Sequence, residues 1–287
     1  MSNTRAIRDH MKSIRQTVQI TNAQKLIAGA RIVKARKVLD RSRLYHSRVQ
    51  RAVASILGDC ATKNKYFDFG QKVKKRGLLV FSADRGLAGG YNHNVMKLTS
   101  KTIAEKPIVK LLVVGHLGYR KFSRMDVPLE KSFEYPVENP SVYTAREITE
   151  RILKMLENDE VDCFDVIYTH LVSAAHLVPS LERLFPLSPE SLGTPRAHFA
   201  EYSPSADEVL EVMLPKYLKG FLFGCLVEAW MCELSARVSA MEGAIKNGNE
   251  MLEKLSLEYN RIRQGAITQE ISEIVAGAAA MEEEEDI

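Results

Sequence analysis

The run Asp84-Arg85-Gly86-Leu87-Ala88-Gly89-Gly90-Tyr91-Asn92 comes nearest, of any stretch in this 287-residue chain, to a ligand cradle. Successive glycines let backbone N–H groups converge on an anion such as phosphate. Its spacing is neither GxGxxG nor that of a Walker loop, and no Lys or Thr follows where a phosphate loop needs one. The run is therefore read as a tight turn: Gly86, Gly89 and Gly90 supply unusual dihedrals, and Asp84 and Arg85 hold the loop. The rival reading is a nucleotide-binding Rossmann-type enzyme. His93, His116, His170, His176 and His198 are scattered with no acidic or cysteine partner at metal-ligand spacing. Cys60, Cys163, Cys225 and Cys232 form no CxxC pair, which points to a reducing compartment, and Cys225 and Cys232, seven apart, read as small buried apolar residues. With no serine elbow and no cysteine–histidine arrangement, the sequence assigns no catalytic residue, no metal and no cofactor.

The loop sits in a segment that alternates apolar strands with helices. Gly77–Asp84, Val109–Gly115 and Cys163–Ser173 read as buried strands; Thr144–Glu157 reads as a helix opened by a Thr144/Glu147 capping box. Strands and helices in alternation define an α/β domain with a parallel sheet covered by helices, over residues 75–195. Pro195–Ser203 alternates weakly and is expected as an edge strand.

Two long helices flank this domain. Ile7, Met11, Ile14, Val18, Thr21, Lys25, Ala28, Ile32, Ala35, Leu39, Ser42, His46, Val49, Val53 and Ile56 follow in steps of four and three, a coiled-coil seam with its stop at Gly58. This defines an N-terminal helix over 1–58, roughly 80 Å long at about 1.5 Å per residue. The same alternation runs through Leu234, Val238, Met241, Ile245, Gly248, Leu252, Leu255, Tyr259, Ile262 and Ala266, within a C-terminal helical segment over 205–287. Pro215 is expected to kink or split that segment. Residues 1–57 hold thirteen Lys or Arg against Asp9 and Asp40, whereas 205–287 hold seven basic and sixteen acidic residues. Opposite fields favour pairing of the two helices with each other, antiparallel if the termini converge. The acidic partner also neutralises much of the field around Arg31, Lys34, Arg36 and Lys37, and the basic residues wrap the seam instead of forming one reading face. That argues against nucleic acid, although a free-standing coiled-coil scaffold or nucleic-acid binder remains the second alternative. The most apolar window, Phe221–Met231, is about eleven residues and too short to span a bilayer. The Arg-rich start contains Asp9 and runs straight into the heptads, unlike a targeting presequence.

Beyond Ala266 the seam drifts, with Ile267, Ile271, Ile274 and Val275 on a different face, while Arg261, Arg263, Gln264, Gln269, Glu270 and Glu273 remain on several sides. The tip therefore stops behaving like one strand of a two-helix coil. Three stretches, Ile7–Leu39, Phe81–Val95 and Ala236–Met281, resemble the gamma subunits of the F-type ATP synthases, and the match runs the whole length in order.

That resemblance implies an antiparallel coiled coil of the terminal helices on a Rossmann-like α/β domain, one copy per complex. It implies no activity of the chain's own, but a rotor that couples ion flow through a membrane ring to ATP synthesis or hydrolysis. The implied partners are three alpha and three beta subunits, an epsilon subunit and the c-subunit ring, with no nucleic acid and no direct lipid insertion. Contacts to alpha and beta are implied for Gln24, Arg237, Arg263, Gln264, Ile267, Ile271 and Ile274. His198, Glu201, Tyr202 and Asp207 are implied at the lower surface toward epsilon and the ring. Asn22-Ala23-Gln24 departs from the family's Lys-Ala-Met, Ala88 replaces a common cysteine, and the chain closes on the acidic run Glu282–Ile287. Lacking an organelle-type extension or an inserted dithiol, the chain is expected to be bacterial, peripheral on the cytoplasmic face of the cell membrane.

Overall fold

The computed structural model describes residues 2–60, 66–67, 73–173, 176–193 and 201–285. In chain order these form α1 (Ser2–Gly58), β1 (Arg76–Phe81), α2 (Tyr91–Glu105), β2 (Ile108–Val114), α3 (His116–Phe122), β3 (Leu129–Tyr135), α4 (Val142–Glu157), β4 (Cys163–Ser173), β5 (His176–Phe185), a short 3-10 turn (Pro189–Leu192) and α5 (Ala206–Glu285). By compactness the chain divides into one unit of residues 1–27 with 240–287 and a second of residues 28–239.

The second unit is built on a sheet of order β3-β2-β1-β4-β5. The first four strands are parallel, as alternation with helices requires, and β5 returns antiparallel on β4. The sheet is thus mixed, not purely parallel. β5 carries Pro179 and Ser180 and β3 carries Lys131 and Ser132, so neither edge reads as a buried apolar run. Residues 195–200 of the expected edge strand lie outside the described residues, and 201–203 are not strand.

Strand side chains alternate between two apolar layers. Leu78, Val80, Leu111, Val113 and Ile167 pack with Tyr91, Val95 and Phe122 of α2 and α3. Leu79, Phe81, Leu112, Val114 and Val166 pack with Ile148 and Ile152 of α4, Ala35 and Leu39 of α1, and Leu226 and Trp230 of α5. Residues 28–56 of α1 and 210–234 of α5 are therefore part of the domain's own core. A polar tie joins them: Glu228 on α5 receives Arg43 of α1 at 2.9 Å and the Leu171 N–H of β4 at 3.1 Å.

Two local expectations change. Pro215 lies inside α5, which continues through it as one helix. Buried Leu214, Tyr217 and Leu218 hold that turn against the core, and this packing outweighs the missing hydrogen bond. The cap of α4 is Ser141, whose hydroxyl accepts the Thr144 N–H at 3.0 Å, one turn before the expected Thr144 cap.

Cys163, Cys225 and Cys232 are buried and Cys60 is partly exposed. Burial pushes the Cys163 thiol up to about 11 and also raises those of Cys225 and Cys232 well above the usual thiol value. Since the thiolate is the reactive form, alkylation of the native chain near neutral pH is expected to reach Cys60 alone, and slowly, because burial, Asp207 and Asp59 raise its pKa too. Mass spectrometry before and after denaturation checks this; rapid native labelling of any of the other three would contradict the packing.

In the first unit every rung of the two seams from Ile7 to Lys25 and from Met241 to Ile262 is buried or half-buried. Lys25 pairs with Glu242 at 3.8 Å, the Val18 methyl lies against Gly248, and Arg8 donates to the Tyr259 hydroxyl at 3.2 Å. Numbers rise on α1 as they fall on α5, so the pair is antiparallel.

Candidate partner-contact surfaces

The tip of α5 is the first candidate. Arg8, six residues into α1, is already level with Tyr259, so α5 outruns its partner. From Arg263 to Ala276 every side chain is exposed, including Ile267 (45%), Ile271 (56%), Ile274 (71%) and Val275 (62%). Arg263 and Gln264 are exposed as well, and among the described residues neither side chain makes a hydrogen bond. A helix that leaves four large aliphatic side chains in water over nine residues forgoes about 1.5–3 kcal/mol for each full burial, which is the signature of a surface covered by something else.

Gln24 is also exposed, between Ile20 (61%) and Ile27 (55%) at helical spacing on α1. This outward apolar pair was missed by a sequence reading that followed only the inward seam; Ile20 and Ile27, seven apart and off that seam, were its available signal.

Arg237 and the glycine loop, far apart in the sequence, are neighbours. Arg237 donates to the carbonyls of Gly86 (3.2 Å) and Arg85 (3.4 Å) and pairs with Glu233 at 2.6 Å. Burial holds the Glu233 carboxyl above its usual range although Arg237 pulls the other way. The loop follows β1, beside the point where the chain's crossovers change direction between β1 and β4, where open α/β sheets bind ligands. Here α5 occupies that crevice: Tyr91 donates to the Ala229 carbonyl at 3.2 Å and Cys232 to the Thr169 carbonyl at 3.3 Å. The loop offers carbonyl oxygens to a guanidinium, the opposite polarity from a phosphate cradle.

The roles inside the loop also differ from expectation. Positive φ falls on Leu87 (62°) and Gly89 (52°), while Gly90 has φ −79° and Gly86 is not in the left-handed region. Asn92 steadies the loop by accepting the Ala83 N–H at 2.9 Å. Asp84 instead gathers other segments, accepting the N–H groups of His116 (3.1 Å), Val137 (2.9 Å) and Glu138 (2.7 Å). Arg85 pairs with Glu138 at 3.5 Å, a residue that sequence reasoning did not single out.

This geometry makes a measurable statement about nucleotides. Equilibrium binding of ATP, ADP and NAD to the purified chain is expected to show no saturation in the micromolar range; micromolar affinity abolished by Gly89→Ala would reverse it.

At the start of α5, Glu201 is exposed, and Tyr202 and Asp207 are half-buried. The Tyr202 hydroxyl donates to Asp59 at 3.1 Å, so it is engaged within the chain. His198 lies outside the described residues. No helix among the described residues is long and apolar enough to cross a membrane, and no group of His, Cys, Asp or Glu there is placed to hold a metal ion.

A mixed α/β domain whose ligand crevice is filled by its own helix, with an antiparallel coil ending in an uncovered tip, defines a mechanical or scaffolding subunit. The ATP synthase family model matches residues 3–281. The chain is 43% identical to the ATP synthase gamma chain of Ruminiclostridium cellulolyticum, covering 98% of this chain and 99% of that one. It is 39% identical to the gamma chain of Acetivibrio thermocellus, covering 98% and 100%. The fold is that of a chain in the cryo-EM structure of Euglena gracilis mitochondrial ATP synthase (OSCP/F1/c-ring), with a TM-score of 0.72 at 15% identity over 100% of this chain and 97% of that one. This chain belongs to the ATP synthase gamma-chain family.

Proposed function

We propose that this chain is the central rotor stalk of an F-type ATP synthase, non-catalytic itself, coupling ion flow through a membrane ring to catalysis at alpha/beta interfaces. The uncovered tip supports this most directly: fourteen consecutive exposed positions, Arg263 to Ala276, mix large aliphatic and charged side chains on a helix that no other described residue covers there. Seated in a ring of alpha and beta subunits, Ile267, Ile271 and Ile274 would turn against apolar loops with little resistance. Arg263, Gln264 and Gln24 would supply the polar contacts that make orientations unequal, whereas Arg237, implied beside them by the resemblance, is engaged within the chain by Glu233 and the loop carbonyls. An off-axis shaft shows a different face to each of three otherwise equivalent sites and so favours a different conformation, and nucleotide affinity, at each. Glu201, Tyr202 and Asp207, with His198, would belong to the lower surface toward epsilon and the c-ring. The bacterial relatives support a peripheral place on the cytoplasmic face of a bacterial membrane.

Affinity capture of the full chain from native membranes, followed by mass spectrometry, tests the reading. Recovery of alpha, beta, epsilon and c subunits is the expected result. Ribosomal or DNA-bound partners without alpha and beta would favour a scaffold or nucleic-acid binder and end the rotor reading.

A further inference from the structure

Within the second unit, the C-terminal edge of the sheet grips both long helices through one connected set of polar contacts. Glu138, in the turn between β3 and α4, pairs with Arg31 of α1 through one carboxylate oxygen and with Arg85 of the glycine loop through the other. Its backbone N–H is held by Asp84, the residue that also fixes His116 and Val137. On the far side of the same loop, Arg237 of α5 binds the carbonyls of Arg85 and Gly86 and is itself braced by Glu233, the two side chains 16% and 4% exposed. The contacts fall at the ends of the unit's helix segments: Arg31 stands three residues after Ala28, and Arg237 two before Ser239.

Location and chemistry together give this cluster a role. Deeper in the unit, α1 and α5 are held by Ala35, Leu39, Leu226, Trp230 and their neighbours, with the Arg43–Glu228–Leu171 tie as a polar contact among them. Apolar burial is non-directional, so it resists separation far better than rotation of a helix about its own axis. Charge-assisted hydrogen bonds to guanidinium groups are directional and oppose such rotation. We propose that Glu138 is a positioning residue that locks α1 to the α/β domain, and that it acts with the Arg237–glycine-loop contact as a clamp through which the domain and both helices exchange torque. The clamp rests on the rotor reading. It gives the loop a task that needs no ligand: an adaptor between two shafts, whose carbonyls face one arginine while its own Arg85 reaches the carboxylate that holds the other.

The test uses assembled complexes fixed through alpha and beta, with a rotational probe on the α/β domain of the full-length chain. Arg31→Glu places two carboxylates together and is expected to raise the variance of the probe's angular fluctuations about twofold or more, with subunit composition and unloaded ATP turnover unchanged. The charge swap Arg31→Glu with Glu138→Lys should return the variance toward wild type, since Arg85 is 76% exposed and free to turn away from a lysine. General damage to packing would not be repaired by a second substitution. Should Arg31→Glu fail to assemble, Glu138→Gln removes the charge without reversing it and is read in the same way. An assembled variant with wild-type variance, or a swap that restores nothing, overturns the clamp while leaving the rotor intact. Failure of the wild-type chain to enter alpha–beta complexes would overturn the rotor reading itself.

Discussion

Replacing Ile271 and Ile274 with Asp is expected to leave the isolated chain as stable as wild type and to abolish its assembly. Both positions are more than half exposed, so the new carboxylates meet water and thermal unfolding should not change. In an apolar sleeve the same carboxylates would lose their hydration without a partner, at a cost of several kcal/mol each by the order of magnitude for unpaired buried charge (about 3–5 kcal/mol). Subunit composition after co-expression, beside the melting curve of the free chain, measures both halves. A complex of normal composition would show that the tip is not enclosed. Arg263→Ala with Gln264→Ala is the informative contrast. Alanine keeps helix propensity, so complexes should form, yet charge-assisted bonds of about 1.5–3 kcal/mol to a beta subunit would be lost. ATP turnover and ion pumping are then expected to fall together. Wild-type turnover in that double variant would refute the polar contact and leave the rotor assignment standing.

Gly115→Ala is expected to be the most damaging single methyl in the domain, destabilising by about 3–5 kcal/mol. Gly115 has φ +99°, and a Cβ there would stand 2.4 Å from the Ser82 carbonyl oxygen and 2.6 Å from its hydroxyl. That hydroxyl already accepts the Gly118 N–H at 3.0 Å and lies 3.0 Å from the Val114 carbonyl. The Gly115 N–H pairs with the Tyr135 carbonyl at 2.8 Å. Relief would therefore have to come from backbone on three strands. Gly29→Ala is the matched control: it lies inside α1 with open space around the added methyl. Removing a helical glycine there should stabilise by about 0.5–1 kcal/mol. Urea unfolding of the two variants checks the pair, and equal midpoints would mean that the Ser82–Gly115 approach is not as tight as described.

The two glycines show where sequence reading stops. Both stand among apolar residues, and nothing local distinguishes one crowded by a neighbouring strand from one facing open space. The same limit explains the misplaced details. Pro215 reads as a helix breaker because propensity is local, whereas Leu214 and Leu218 anchor its turn to residues far away in the chain. β3 and β5 escaped because edge strands carry Lys, Ser and Pro where central strands carry Val and Leu. Glu138 had no signal, since its partners Arg31 and Arg85 lie far from it in sequence and only the sheet brings them together.

By itself the sequence determined the repeating parts and the family. A seam of spacing four and three specifies which face of α1 and α5 is hidden, because helical geometry is set by residues within a turn or two. Alternating apolar strands and helices likewise specify an α/β domain. The drift of the seam beyond Ala266 already marked a tip unlike the rest of the coil. Only the tertiary structure decided what the glycine loop does: whether its carbonyls or its N–H groups face outward depends on where α5 crosses the sheet. Arg237 supplies the charge that decides it, from a point about 150 residues along the chain. Contacts of that separation are fixed by the packing of whole elements, and no pattern within the loop encodes them.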